Sequence, residues 1–216
     1  MGACISDEGF LMRLYFVRHG ESTANLLREF SNSGFKHPLT EKGIEQARAV
    51  ARSLSGLQVE QIYSSPVMRA VQTAQILAES LQAPLEFTEA LREWDVGIYE
   101  GTTDPVGWQL HRQVQDDWFT HRRFDSKMPG GESFYEIQAR FTPFIEGLVQ
   151  DARNSNRSIV LVAHGGLYLA MLPVIFKNVN FAFACQHNFP YTACAMAETR
   201  PDGLYCISWC GVSLSV

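Results

Sequence analysis

The chain has 216 residues, with 18 Lys plus Arg against 23 Asp plus Glu, a formal charge of −5 with histidine neutral; 46% of it is hydrophobic and 19% charged. A chain of this size buries about 70% of its extended surface, so one domain spanning residues 1–216 holds a core without staples, and wholesale disorder is excluded. The acidic balance argues against nucleic acid as a partner while leaving room for a local basic pocket.

The start, Met1-Gly2-Ala3-Cys4-Ile5-Ser6, fits an acylation pattern, with myristoyl on Gly2 and palmitoyl on Cys4. Membrane association is expected only if those residues are acylated; otherwise they form a tail ahead of the first strand. No apolar run approaches the roughly 18 residues of a membrane span, and no basic start leads into an apolar signal core, so a cytoplasmic location is expected. Cys4, Cys185, Cys194, Cys206 and Cys210 lack any Cys-x-x-Cys spacing. They read as buried free thiols of a reducing compartment.

Met12–Val17 predicts a strand that stops at Arg18-His19-Gly20. Thr40 is the expected N-cap of a helix carrying Ile44, Ala47, Val50, Ala51 and Leu54 at helical spacing. Val59–Tyr63 predicts a second strand, and Pro66 suits the first turn of the following helix, whose apolar stripe runs from Ala70 to Leu81. Pro84–Thr88 reads as a short extended piece. Residues 95–131, rich in Trp, His, Arg and Asp, read as a partly helical lid inserted over one end of the fold. Phe134, Ile137, Phe141 and Leu148 mark a helix with Pro143 as an irregularity. Ser158–Ala163 is a buried strand running into His164-Gly165-Gly166, with a helix expected over Leu167–Phe176. Cys194–Thr199 and Leu204–Trp209 form a hairpin about Arg200-Pro201-Asp202-Gly203. This order predicts an α/β fold: three layers, α/β/α, around a mostly parallel sheet, with an antiparallel edge and a helical insertion over the site.

Two strands end in His-Gly: Val17-Arg18-His19-Gly20 and Ala163-His164-Gly165. A third ends in Ser64-Ser65-Pro66 and delivers Arg69 to a helix start. Singly, such residues have ordinary structural roles: a hydrogen-bonded histidine, an arginine in a surface ion pair. Together, two His and two Arg at neighbouring strand ends make a crevice suited to a phosphoryl group, with glycine letting backbone N–H groups approach the anion.

The chain resembles the histidine phosphatase superfamily, the phosphoglycerate-mutase-like proteins. The resemblance rests on Arg18-His19-Gly20-Glu21-Ser22 with Asn25, Leu39-Thr40-Glu41-Lys42-Gly43, and Ser64-Ser65-Pro66 with Arg69. It continues through Leu91-Arg92-Glu93 with Gly97, Glu100-Gly101, Pro129-Gly130-Gly131-Glu132-Ser133 and His164-Gly165, in the family's order. It implies that His19 is the nucleophile, forming a phosphohistidine, and that Arg18, Arg69 and a cationic His164 bind the phosphoryl oxygens without a metal or other cofactor. Glu93 is implied as general acid and base, with Asp95 its rival. Asn25 and the backbone of Gly165 complete the substrate cradle. Ser22 and Thr23 lie in the same loop and are counted with the substrate-binding residues, their alternative role being to open the next helix. His111, Arg112, His121, Arg122 and Arg123 either meet a second anionic group or form a solvated helix face.

The mutase branch carries a Trp-Asn pair and a Gly-Trp after its Arg-His-Gly; here the segment is Ala24-Asn25-Leu26 on to Ser31-Asn32-Ser33-Gly34-Phe35. Glu100-Gly101 leads into Thr102-Thr103-Asp104-Pro105 rather than a long Arg-, Tyr- and Gly-rich segment. The resemblance therefore points to a metal-independent histidine acid-type phosphatase, a phosphomonoesterase acting on a small phosphate ester, with a homodimer as the assembly to consider. The alternatives are a bisphosphoglycerate-dependent phosphoglycerate mutase and a non-catalytic phospho-ligand module.

Overall fold

Strand β1 (Arg13–Arg18) alternates its side chains between two hydrophobic clusters. Leu14 and Phe16 enter one, Tyr15 and Val17 the other. Strand β4 (Ser158–Ala163) runs parallel beside it, from Arg13 opposite Ser158 to Arg18 opposite Ala163. Its Ile159 and Leu161 join the first cluster, Val160 and Val162 the second. A period of two with both faces apolar marks a strand covered on both sides, and this produces the three layers.

The computed structural model describes residues 12–151 and 157–215. The acylation motif at Gly2, Cys4 and Ser6 lies outside the described residues. One face of the sheet is covered by α2 (Glu41–Leu54) and α3 (Met68–Leu81), through Val50, Leu54, Ala70 and Leu77. The other is covered by α4 (Pro105–Phe119), α5 (Phe134–Asp151) and α6 (Gly165–Ile175), through Trp118, Phe141 and Met171. Strands β2 (Val59–Ser64) and β3 (Leu85–Phe87) complete a parallel set in the order β3-β2-β4-β1. The antiparallel strands β5 (Cys194–Arg200), β6 (Gly203–Trp209) and β7 (Val212–Ser213) follow beyond β1. The α/β class with its mostly parallel core is as the sequence predicts, while the antiparallel edge gains β7 beyond the expected hairpin.

Thr40 caps α2 as predicted, accepting from Gly43 N at 3.0 Å. Pro66 lies outside α3 rather than in its first turn: Val67, extended at φ −74° and ψ 133°, is the N-cap, and its N–H donates to Ser65 Oγ at 3.3 Å. Helix α6 starts two residues earlier than expected, because His164 itself is the extended N-cap residue and the helix opens at Gly165. Two short helices, α1 (Thr23–Leu27) and α7 (Phe181–Gln186), had no periodic signal at their length. Of the described cysteines, all free, Cys206 is buried, Cys194 and Cys210 are half-buried, and Cys185 is exposed, contrary to the uniform burial expected. Among the described residues no helix is long and apolar enough to cross a membrane.

Because β1, β2 and β4 are parallel, their carboxyl ends share one edge of the sheet, with Arg18 opposite Ala163 and Ser64 opposite Val162. Arg18, His19, Ser65 and His164 leave the sheet at that edge, and the first turn of α3 brings Arg69 to the same place.

Candidate active site

His19 is almost fully buried, at 2% exposure, and its backbone N–H donates to Ala163 O at 3.0 Å, tying the two strand ends together. Gly20 permits this entry: a Cβ there would stand 2.5 Å from Gly43 O, and one on Gly43 would stand 2.0 Å from Glu21 O. The loop after β1 and the start of α2 therefore touch backbone to backbone, which accounts for glycine in both stretches. His19 Nδ1 lies 2.7 Å from Gly20 O, an atom that only accepts, so Nδ1 carries the hydrogen. Nε2 then accepts from Arg69 Nε at 2.9 Å.

Arg69 also donates through Nη2 to His164 Nδ1 at 3.2 Å and through Nη1 to Ser31 O. His164 is consequently the Nε2-protonated tautomer, donating to Ser65 Oγ at 2.8 Å. The two imidazole centroids are 5.1 Å apart. Burial, reinforced by Arg69 and Arg18, holds His19 well below the ordinary histidine pKa. Burial likewise holds His164 well below it, with Arg69, His19 and Arg18 adding to the effect. The cationic His164 expected from the sequence is thus corrected: as placed, it is a neutral ring.

Burial also lowers Arg69 to about 10, which leaves it a cation at neutral pH. Arg18 donates to Phe189 O at 2.6 Å and lies 4.3 Å over the Tyr191 ring. Its buried Nε has no partner among the described residues. Gly165 packs against it, since a Cβ there would approach the guanidinium to 3.1 Å.

A family model described as "Histidine phosphatase superfamily (branch 1)" matches residues 14–210. The chain belongs to the histidine phosphatase superfamily. It is 34% identical over 163 residues to a Hydrogenobacter thermophilus protein named "Putative phosphoserine phosphatase 2", covering 75% of this chain and 77% of that one. It is 31% identical over 161 residues to "Probable phosphoglycerate mutase GpmB" of Salmonella choleraesuis (strain SC-B67), covering 72% of this chain and 70% of that one. A solved mycobacterial glucosyl-3-phosphoglycerate phosphatase, Rv2419c, superposes with a TM-score of 0.72 at 26% identity, covering 93% of this chain and 99% of that one. Membership and relatives together indicate catalysis on phosphate esters, by hydrolysis or by transfer.

In this histidine phosphatase superfamily chain, Glu93 Oε2 accepts from Gly166 N at 3.1 Å and Oε1 from Trp94 N at 3.2 Å. Burial raises its pKa against the opposing pull of Arg69. The segment carrying it is clamped by Glu132, which accepts from Asp95 N at 2.9 Å and from Arg140 Nε and Nη2 at 2.9 and 3.0 Å. Glu132 N in turn donates to Asp95 O at 3.0 Å. Gly97, at φ +60°, meets Pro129 O so closely that a Cβ would stand 2.0 Å from it. The Arg92–Gly97 and Pro129–Ser133 stretches are thus one interlocked structure. Asp95 is spent elsewhere, accepting from Gly97 N at 2.7 Å and lining a separate cavity with Arg92 and Glu100.

The site cavity has a volume of about 500 Å³ and is lined by Arg18, His19, Asn25, Arg69, Glu93 and Gly165, all named from the sequence. His164 lies behind them, fully buried. Ser22 and Thr23 are corrected. Ser22 is fully buried as the N-cap of α1, donating to Asn25 Oδ1 at 2.8 Å, and Thr23 is bonded to His37 Nδ1 at 3.2 Å; neither lines the cavity.

Trp108, His111 and Gln115 of α4 also line the cavity. Of the basic residues expected there, only His111 does so, and burial lowers its pKa to about 4. Arg112 is exposed, His121 is 3.3 Å from Asp116, Arg122 lies over Phe181 at 4.5 Å, and Arg123 pairs with Asp117 at 3.3 Å.

Several contributors escaped sequence reading. Ser65 accepts from His164; Thr73 Oγ1 accepts from Gly20 N at 3.1 Å; the Ser31 carbonyl fixes Arg69; Phe189 and Tyr191 seat Arg18. Ser65 had a signal in its strand-end motif. The carbonyls and the 187–193 loop had none, since their roles arise only from tertiary adjacency.

Proposed function

We propose that the chain is a metal-independent phosphomonoesterase working through a phosphohistidine on His19. The observation that carries this reading is the His19 ring. Its Nδ1 hydrogen is held by Gly20 O, so Nε2 keeps its lone pair, directed at Arg69 Nε, with the His164 ring beside it. A neutral imidazole with its far nitrogen anchored is a ready nucleophile.

Arg69 exchanges His19 Nε2 for a phosphoryl oxygen as substrate enters. With Arg18, the Asn25 amide and His164, it then offsets the charge on the transferring group, the task a metal performs elsewhere. The Nε2–P bond forms as the P–O ester bond breaks, and the leaving oxygen takes the proton of the Glu93 carboxyl. Water then attacks phosphorus and gives a proton to the Glu93 carboxylate, the N–P pair returns to Nε2, and phosphate departs. Within residues 95–131, Trp108, His111 and Gln115 line the same cavity and face the leaving group.

The missing Trp-Asn and Gly-Trp pairs and the Thr102-Thr103-Asp104-Pro105 continuation support hydrolysis over the transfer that a mutase performs. The test is hydrolysis of a phosphate-ester panel with and without chelator, beside His19→Ala. Turnover and an acid-labile phosphoenzyme are expected in the wild type regardless of chelator, and neither in the variant. Undiminished turnover by His19→Ala would sink the mechanism, and loss with chelator would sink its metal independence.

A further inference from the structure

The α4 side of the cavity differs in character from the strand-end side. Trp108 stacks on Phe30 with centroids 4.0 Å apart and 19° between planes, and His111 stacks on Trp94 at 4.5 Å and 25°. Trp94 is in turn held edge-on by Trp118 at 4.9 Å. Phe30 and Trp94 are the buried backing, while Trp108 and His111 stay partly open. The indole N–H of Trp108 is already donated to Arg28 O at 2.8 Å, so the ring offers apolar surface.

The charges point the same way. Among the described residues, the only Lys or Arg lining this cavity are Arg18 and Arg69, both at the phosphoryl end. Besides Glu93, the only carboxylate lining the cavity among the described residues is Glu29, kept ionised by Lys36 and His37. A second phosphate or carboxylate on the substrate would be desolvated beside Glu29 with no free cation to meet it. A flat uncharged group would instead gain contact with two ring systems.

We propose that this cavity selects phosphate monoesters whose leaving group is uncharged and aromatic, seated on Trp108 and His111, and discriminates against leaving groups bearing a second anion. For turnover the inference rests on the phosphomonoesterase reading; for binding it does not.

Benzyl phosphate and 3-phosphoglycerate both release a primary alkoxide, so their difference in kcat/KM reports recognition rather than leaving-group chemistry. The benzyl ester is expected to be favoured about tenfold or more. Trp108→Ala should lower that ratio about tenfold, Trp108→Phe should restore most of it, and His111→Arg should shift it toward 3-phosphoglycerate. A wild-type ratio at or below one, or a ratio indifferent to Trp108→Ala and His111→Arg, overturns the inference while leaving the hydrolytic reading standing. If the wild type hydrolyses neither ester, the hydrolytic reading is left to the wider ester panel, and calorimetry on benzylphosphonate and phosphonoacetate decides the inference. Tighter binding of benzylphosphonate upholds it; equal or weaker binding overturns it.

Discussion

The Gly20 carbonyl and the Arg69 guanidinium set the His19 tautomer, and burial is the largest influence on the titration of His19, His164 and Glu93. With His19 and His164 both held well below the ordinary histidine value, the loss of activity from protonating them falls well below pH 6.5. Glu93 is displaced the opposite way, so its protonated form persists above the ordinary carboxyl range. For an alkyl ester, kcat/KM should therefore fall on the alkaline side as Glu93 ionises. Glu93→Gln should remove that limb and cost about 10²–10³-fold, against less than about tenfold for an activated aryl ester. Equal losses for both esters would assign Glu93 to binding. His111 carries a stability prediction. Its folded pKa of about 4 lies below the unfolded value, so the stability tied to its neutral form is complete above about pH 6.5 and is lost as pH falls toward 4. His111→Phe keeps the stack and cannot titrate. Between pH 7 and 5, urea unfolding should show it gaining about 2 kcal/mol on the wild type. A pH-independent difference would show that His111 titrates normally.

The elements meet at backbone contacts that side chains cannot enter. The loop after β1 and the N-terminus of α2 touch at Gly20 and Gly43, and the Glu93 segment locks to the 129–133 turn at Gly97 and Glu132. Gly43→Ala would place a Cβ 2.0 Å from Glu21 O, so something must shift. It is expected to destabilise by about 1–3 kcal/mol and to lower kcat by displacing His19. Gly56→Ala, with nothing within 4 Å of its Cβ, is the control and should stay within about 0.5 kcal/mol. Equal melting temperatures for the two variants would refute the contact. Much of this level was legible in the sequence: the runs Met12–Val17 and Ser158–Ala163 alternate too little to be amphipathic helices, and Thr40 announces α2. Helices α1 and α7 were not legible, because five or six residues carry no period. The basic residues from His111 to Arg123 left two roles open in the sequence, an anion subsite or a solvated face, and all but His111 follow the second. The acids Asp116 and Asp117 that claim His121 and Arg123 lie within the same stretch, and only the fold reveals which way each pair turns.

The phosphoryl site draws on β1, β2, β4, α3 and the segment carrying Glu93, so an anion bound there bridges otherwise separate parts of the chain. Orthovanadate at about 100 times its Kd should stabilise the protein by about 2.7 kcal/mol, raising Tm by about 5–10 °C. Arg69→Ala and His19→Ala should abolish most of that shift, and an undiminished shift in both would place the anion elsewhere. The order of amino acids alone specified the layered α/β fold, through apolar strands alternating with amphipathic helices. It also determined the candidate cluster of Arg18, His19, Arg69 and His164, because each stands where a recognisable element stops or starts. Their protonation, the place of Glu93 rather than Asp95 at the cavity, and the aromatic, cation-poor α4 wall emerge only in the folded chain. The reason is physical: an element's ends follow from local backbone preferences, whereas the charge and partners of a buried group follow from its desolvation and neighbours, which are distant in sequence.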